Sequence, residues 1–259
     1  DLWRFEFPGH KLRPIMSALP RAKIRLCVEH PLGAGQAVPL SPDQAHYLFG
    51  VMRKGVGDHI ALFNGRDGEW TAEVAEAAKK RGILVCLEQA APQQMPPDLW
   101  LIFAPIKKER TDFIVEKAAE LGCARICPVQ TEFTNSGRIR QDRLQAHALE
   151  AAEQCLGTFV PPVDDLVPLS KLLAGWDAGR RILWADEALV GAAEMLADLP
   201  PGPWAILIGP EGGFSEAERA KLRALPFVTP ISLGPRILRA DTAAVAAVTL
   251  WQSALGDWR

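Results

Sequence analysis

The chain has 259 residues, 48% of them hydrophobic and 23% charged, enough apolar material for one large or two modest packed domains. Its formal net charge of −2 advertises no global basic field for nucleic acid, and no run approaches the roughly 20 apolar residues of a membrane span, the longest candidate (Ala243 to Trp251) being short and alanine-rich. Five cysteines, an odd number in a long chain, argue against a disulfide framework and for a reducing cytoplasm.

The opening "DLWRFEFPGHKLRP" has no apolar core of a signal peptide, Met16 is a candidate natural start, and residues 1 to 20 are left out of the fold reading. "KIRLCVE" is a strand. "SPDQAHYLFGVMR" is predicted to be a helix, with Ser41 as N-cap and Pro42 at its first position. "DHIALFNGRDGEWTAEVAEAAKKRGILVCLEQ" gives three strands, with turns at "NGRDG" and "KKRG". Strands at this spacing predict a small β-barrel over residues 21–91. His46 and His59 are expected to be packing or surface residues of it.

The proline-rich "APQQMPPD" is the domain boundary, and beyond it the rhythm changes. "LWLIFAP" is a continuous apolar run, as in a strand buried on both faces. "KKERTDFIVEKAAELG" is a helix with Ile114, Ala118 and Leu121 on one face and Gly122 as its stop. "RICPV" is a strand and "RQDRLQAHALEAAEQCL" a long helix; "RRILWAD", "WAILIG" and "FVTPISLG" are further strands alternating with helices. This predicts an α/β domain with a mostly parallel sheet over residues 97–259. Cys123 and Cys127 form a C-x3-C pair with no second Cys or His pair nearby, so two buried residues flanking a strand are expected and no metal centre.

Two loops carry the functional argument. In "LIGPEGGFSEAE" a strand runs into Gly-Pro-Glu-Gly-Gly, and Ser215 with Glu218 forms a capping box that starts a helix. The Lys-Ser/Thr pair of a P-loop and the dinucleotide G-x-G-x-x-G are both missing, and Glu211, Glu216 and Glu218 would repel a phosphate at this helix start. A neutral or cationic ligand approached by bare backbone fits, and so does a tight turn that needs glycine. In "SLGPRILRADTAAVAAVTLWQSAL" a strand ends at Gly234-Pro235, Arg236 and Arg239 flank an apolar pair, and Asp241 or Thr242 is expected to cap an alanine-rich helix. Both loops follow strand ends, where open α/β sheets bind ligands.

These two loops, in this order, resemble those of the SPOUT methyltransferases, and specifically the 16S ribosomal RNA (uracil-N3)-methyltransferase family, ribosomal small subunit methyltransferase E. "HYLFGVMRKGVGDHIALFNGRDGEW" is similar to that family's PUA-like N-terminal domain, and "KKERTDFIVEKAAELGCARICPV" with "EAAEQC" to the first helices of its catalytic domain. The resemblance implies a trefoil-knotted C-terminal domain, S-adenosylmethionine as cofactor, a homodimer through the knot, and 16S rRNA or the small ribosomal subunit as partner, in the cytoplasm and without metal or membrane. It implies a cofactor site at Ile208, Gly209, Pro210, Glu211, Gly212, Gly213, Leu233, Gly234, Ile237, Leu238 and Thr242. Arg236 and Arg239 become candidate stabilisers of a uridine anion, and Asp241 a candidate base or loop-orienting group, beside its plainer reading as an N-cap. Candidate RNA contacts are Arg25, Arg53, Lys54, Lys107, Lys108, Arg110, Arg138 and Arg140, each of which is otherwise a solvated surface charge. The chain departs from the family at Leu156-Gly157, where an arginine is usual after "EQC", and at Ala240-Asp241-Thr242, where Thr-Glu-Thr is common. The rival readings are a SPOUT 2′-O-methyltransferase on tRNA or rRNA, and a non-catalytic RNA-binding or assembly protein.

Overall fold

The computed structural model describes residues 22–135, 137–186, 189, 196 and 199–258. The first twenty residues, Met16 among them, lie outside the described residues. The chain divides between Gln93 and Gln94 into two compact units.

The first unit is built on a five-stranded sheet. Its strands are β1 (Arg25–Cys27), β2 (Ala37–Pro39), β3 (His59–Phe63), β4 (Glu69–Ala78) and β5 (Arg81–Ala91), in the order β1-β3-β4-β5-β2. The three strands expected from His59 onward form an antiparallel meander, with the first turn at "NGRDG". In that turn the Asp67 carboxylate accepts from the Asn64 side chain at 2.6 Å and from the Leu32 amide at 2.9 Å. The core is filled by Leu26, Val38, Leu48, Ile60, Leu62, Val74 and Leu84.

The helix expected over "SPDQAHYLFGVMR" is a finding of a different kind. Ser41 and Pro42 do start α1 (Pro42–Ala45), through a capping box with Gln44, but four residues later the backbone widens into a π-helix over His46–Val51. Met52 donates to the carbonyl of Tyr47 in the five-residue spacing of that form. The wider turn keeps Leu48 fully buried and lays the His46 ring against Gly50, where a Cβ would stand 2.9 Å from Nδ1.

The second unit is an α/β layer structure. Six strands, β6 (Leu99–Phe103), β7 (Arg125–Gln130), β8 (Val167–Pro168), β9 (Arg181–Ala185), β10 (Trp204–Ile208) and β11 (Val228–Ile231), lie in the order β11-β9-β10-β6-β7-β8, and every pairing is parallel. β10 is buried along its whole length and β6 at four of five positions, which explains their unbroken apolar sequences. The helices are α2 (Lys108–Glu120), α3 (Gln141–Gln154), α4 (Leu169–Ala174), α5 (Glu216–Ala224) and α6 (Ala240–Ala254). α2 ends before Gly122, at φ +81°, and the fully buried Gln252 of α6 donates to the Leu121 carbonyl at 2.6 Å. One side chain thus satisfies the end of a neighbouring helix. The alanines at 243, 244 and 247 are buried in the main core, where their size permits α6 to lie close against its neighbours.

Candidate functional site

β11, β9 and β10 are adjacent in the sheet and end on the same edge. Their continuations wall a cavity of about 520 Å³, lined by residues 185–186, 189, 208–213, 232–234, 236–240 and 243. This is the size of a small-molecule site, at the carboxyl edge where open parallel sheets bind their ligands.

The first wall is the glycine loop after β10. The Gly213 amide donates to the Pro210 carbonyl at 2.9 Å, closing a turn that requires φ +69° at Gly213. Gly209 is needed for another reason: a Cβ there would stand 2.7 Å from the Phe214 ring. Phe214 is buried and packs edge-on against Trp184, with centroids 5.7 Å apart. The expected capping box of Ser215 and Glu218 starts α5. Glu218 also accepts from the Glu132 amide at 2.9 Å, tying α5 to the segment after β7, so its carboxylate is engaged by backbone. Glu211 is exposed and pairs with Arg110 of α2 at 3.0 Å.

The second wall is the loop after β11. Ser232 Oγ accepts from the Gly234 amide at 3.2 Å, and Gly234 sits at φ +109°. Arg236, Ile237 and Arg239 follow on the surface, Ile237 with 85% of its area exposed. The expected N-cap role of Asp241 or Thr242 is corrected here. α6 begins two or three residues earlier, at Ala240, and its N-cap is Arg239, whose side chain makes no capping bond. Asp241 is therefore in the first helical turn, where a carboxylate complements the helix dipole. It accepts from the Thr242 amide at 2.9 Å and lies 3.7 Å from Arg110 Nε.

The third wall was not foreseen. Asp186, at the end of β9, has a fully buried carboxylate paired with Arg219 and, at 3.2 Å, with Arg223, both from α5. Arg219 also donates to the Phe214 carbonyl at 3.2 Å, so the pair fastens the β9 end to the base of the glycine loop. A signal was present: an acid directly after the buried run "RRILWA", and two arginines four apart on one face of the next helix.

Of the residues expected at the site, 208–213, 233, 234 and 236–239 line the cavity, while Asp241 and Thr242 stand beside it on α6. The expected RNA contacts divide. Arg25 is buried rather than presented to solvent: its Nε lies 2.7 Å from Glu69 and its guanidinium stacks on Phe63 at 4.6 Å. Its charge is engaged inside the first unit, which corrects the expectation of a phosphate contact there. Arg53, at φ +53°, is exposed, and Lys54 pairs with Asp58 at 3.5 Å. In the second unit Lys107, Lys108, Arg138 and Arg140 are exposed, with Arg140 paired to Asp142 at 2.6 Å. Arg110 faces the two loops.

Cys123 and Cys127 are buried, as expected for residues flanking and entering β7. Burial pushes the Cys123 thiol up to about 12 and the Cys127 thiol still higher, which disfavours the thiolate that binds metals.

Known proteins share this architecture. The family described as "RNA methyltransferase domain" matches residues 93–252, and "RNA methyltransferase PUA domain" matches residues 40–86. Ribosomal RNA small subunit methyltransferase E of Synechocystis is 32% identical over 221 residues, covering 82% of this chain and 71% of its own. A putative methyltransferase of Legionella pneumophila, solved in complex with bound SAM, superposes with a TM-score of 0.83 at 30% identity, covering 92% of this chain and 100% of that one. Ribosomal RNA small subunit methyltransferase E of Neisseria gonorrhoeae, solved bound to S-adenosyl methionine, gives 0.82 at 28% identity, covering 91% and 99%. With its two loops walling one cavity at the sheet edge, and with these matches over both units, the chain belongs to the ribosomal RNA small subunit methyltransferase E family of RNA methyltransferases.

Proposed function

We propose that the chain transfers the methyl group of S-adenosylmethionine to N3 of a uridine in 16S ribosomal RNA. The observation that carries the reading is the cavity itself. Backbone of two glycine loops, apolar side chains, the acids Asp186 and Glu211 and, at the rim, Arg236 and Arg239 line it, and among the described residues it has no lysine and no P-loop cradle. That lining fits the proposed cofactor. Ile208, Leu233, Ile237 and Leu238 offer apolar surface to an adenine ring, Gly234, with open space where a Cβ would be, permits close backbone approach, and Glu211 suits a ligand with cationic groups and no phosphate.

Bound there, S-adenosylmethionine supplies an electrophilic methyl on a sulfonium. The residues of the chain do the rest. The two loops would hold the cofactor, and a donor held in line with the incoming nitrogen would remove much of the barrier by itself. Uracil N3 carries a proton that must leave as the nitrogen attacks. Arg236 and Arg239, exposed at the rim, stabilise the uridine anion that forms, and the Asp241 carboxylate, in the first turn of α6 two residues after Arg239, receives the proton or orients the arginine loop. Arg53, Lys54, Lys107, Lys108, Arg138 and Arg140 contribute phosphate contacts.

The same reading makes residues 21–91 a PUA-like barrel that binds RNA and residues 97–259 a trefoil-knotted catalytic domain that dimerises through the knot. A ribosomal RNA substrate places the reaction in the cytoplasm. The test is calorimetric titration with S-adenosylmethionine followed by transfer of labelled methyl to small ribosomal subunits that lack the native modification. Saturable binding with label in 16S rRNA is expected. Binding without transfer to any RNA would leave a non-catalytic RNA-binding protein as the better reading.

A further inference from the structure

Arg110 stands in the first turn of α2, on neither of the two loops, yet its guanidinium reaches the glycine loop and the first turn of α6, into which the arginine loop runs. Nη1 lies 3.0 Å from Oε1 of Glu211 in the glycine loop, and Nε lies 3.7 Å from Oδ2 of Asp241 in the turn that follows the arginine loop. Among the described residues, these are the ion pairs that Glu211 and Asp241 make. We propose that Arg110 is a positioning residue that latches the two loops and sets the opening of the cavity between them, rather than a contact to RNA. The inference rests on the reading of this cavity as the cofactor site.

Three features support it. The loops are anchored at their bases, by Phe214 under the glycine loop and by Leu233 and Leu238 against the core, but are exposed at Glu211, Arg236 and Ile237, where an ion pair can set the opening between them. Two carboxylates drawn towards each other repel unless a cation stands between them. Guanidinium holds several donors in one rigid plane and can serve two acceptors at a fixed angle, which a lysine ammonium on a flexible stem does poorly. A surface arginine that only met phosphate would not need to face two acids on separate loops.

The experiment uses the full chain and four variants: Arg110→Ala, Arg110→Lys, Glu211→Gln and the double Arg110→Ala/Glu211→Gln. S-adenosylmethionine affinity is measured by calorimetry, folding by thermal melting, and loop order by amide exchange over residues 209–213 and 233–241. Two partly exposed ion pairs acting together predict that Arg110→Ala weakens cofactor binding by about three- to thirtyfold with little change in melting temperature. Arg110→Lys recovers only part of this. In the double variant Glu211→Gln costs less than it does in the parent, because the part of its effect that passes through Arg110 is already gone. Exchange rises in both loops of Arg110→Ala, a result that needs no ligand. Unchanged exchange together with wild-type cofactor affinity would overturn the latch. A drop of about one in the salt slope of RNA binding, with cofactor affinity intact, would make Arg110 a phosphate contact instead. Failure of the unmodified chain to bind S-adenosylmethionine is a separate outcome: it removes the cofactor reading and, with it, the role assigned to the latch.

Discussion

Replacing Gly209 by alanine tests whether the glycine loop is shaped by packing beneath it. The added Cβ would meet the Phe214 ring at 2.7 Å, closer than carbon atoms tolerate, with two more ring atoms in tight contact at 3.1 and 3.2 Å. The ring cannot simply retreat. Phe214 is 4% exposed and lies edge-on against Trp184, which is 0% exposed. The loop backbone must therefore move outward, and overpacking of this kind costs about 1–3 kcal/mol. For a unit of this size that lowers the melting temperature by roughly 2–12 °C. Because Gly209 and its neighbours to Gly213 line the cavity, cofactor affinity should fall as well. Thermal melts and calorimetry on Gly209→Ala give both numbers. Adding Phe214→Leu removes the ring atoms in the clash, so the double variant should lose less than the sum of the singles. A Gly209→Ala protein as stable as the parent, or strict additivity with Phe214→Leu, would refute the steric argument.

Other outcomes follow from the same structure. Asp186→Ala leaves the guanidinium of Arg219, 10% exposed, without its acid and should cost about 3 kcal/mol, read as a lower urea midpoint. Leu156, just after α3, is held at φ +64° with half its surface exposed; Leu156→Gly should stabilise the chain by about 0.5–1 kcal/mol, visible as a higher melting temperature. The Asn64 side chain and the Leu32 amide hold the Asp67 carboxyl below its usual range of about 3.8. A depressed carboxyl contributes stability that is present above its unfolded value and is lost as pH falls through its folded value. Urea midpoints of the parent should therefore drop below about pH 4, while Asp67→Asn starts lower at neutral pH and changes less over the same interval.

Much of the fold was legible because its signals are local. The unbroken apolar runs of β6 and β10, the capping boxes at Ser41 and Ser215 and the stop at Gly122 each act within one turn or one strand. What was missed depends on partners distant in sequence. Arg25 is buried because Glu69, 44 residues away, meets it in the folded sheet. Asp186 became a wall of the site through Arg219, 33 residues on. From sequence Arg110 reads as an RNA contact or a solvated charge, and its pairs with Glu211 and Asp241 are hidden because those acids are 101 and 131 positions away. The π-helix at His46–Val51 defeats periodicity because its residues still alternate plausibly for an α-helix. The N-cap of α6 lies two or three residues before the expected one, because Asp241 and Thr242 are good capping types, yet helical backbone already begins at Ala240.

The most direct measurement is the identity of the methylated nucleoside. The chain, labelled S-adenosylmethionine and small ribosomal subunits lacking native modification are incubated, and the 16S rRNA is digested to nucleosides. The account predicts label in 3-methyluridine, at one position per RNA, with transfer sharply reduced in Arg236→Ala and Arg239→Ala. Label in a 2′-O-methylated nucleoside would contradict the proposed chemistry at uracil N3 while leaving the fold and the cofactor cavity intact.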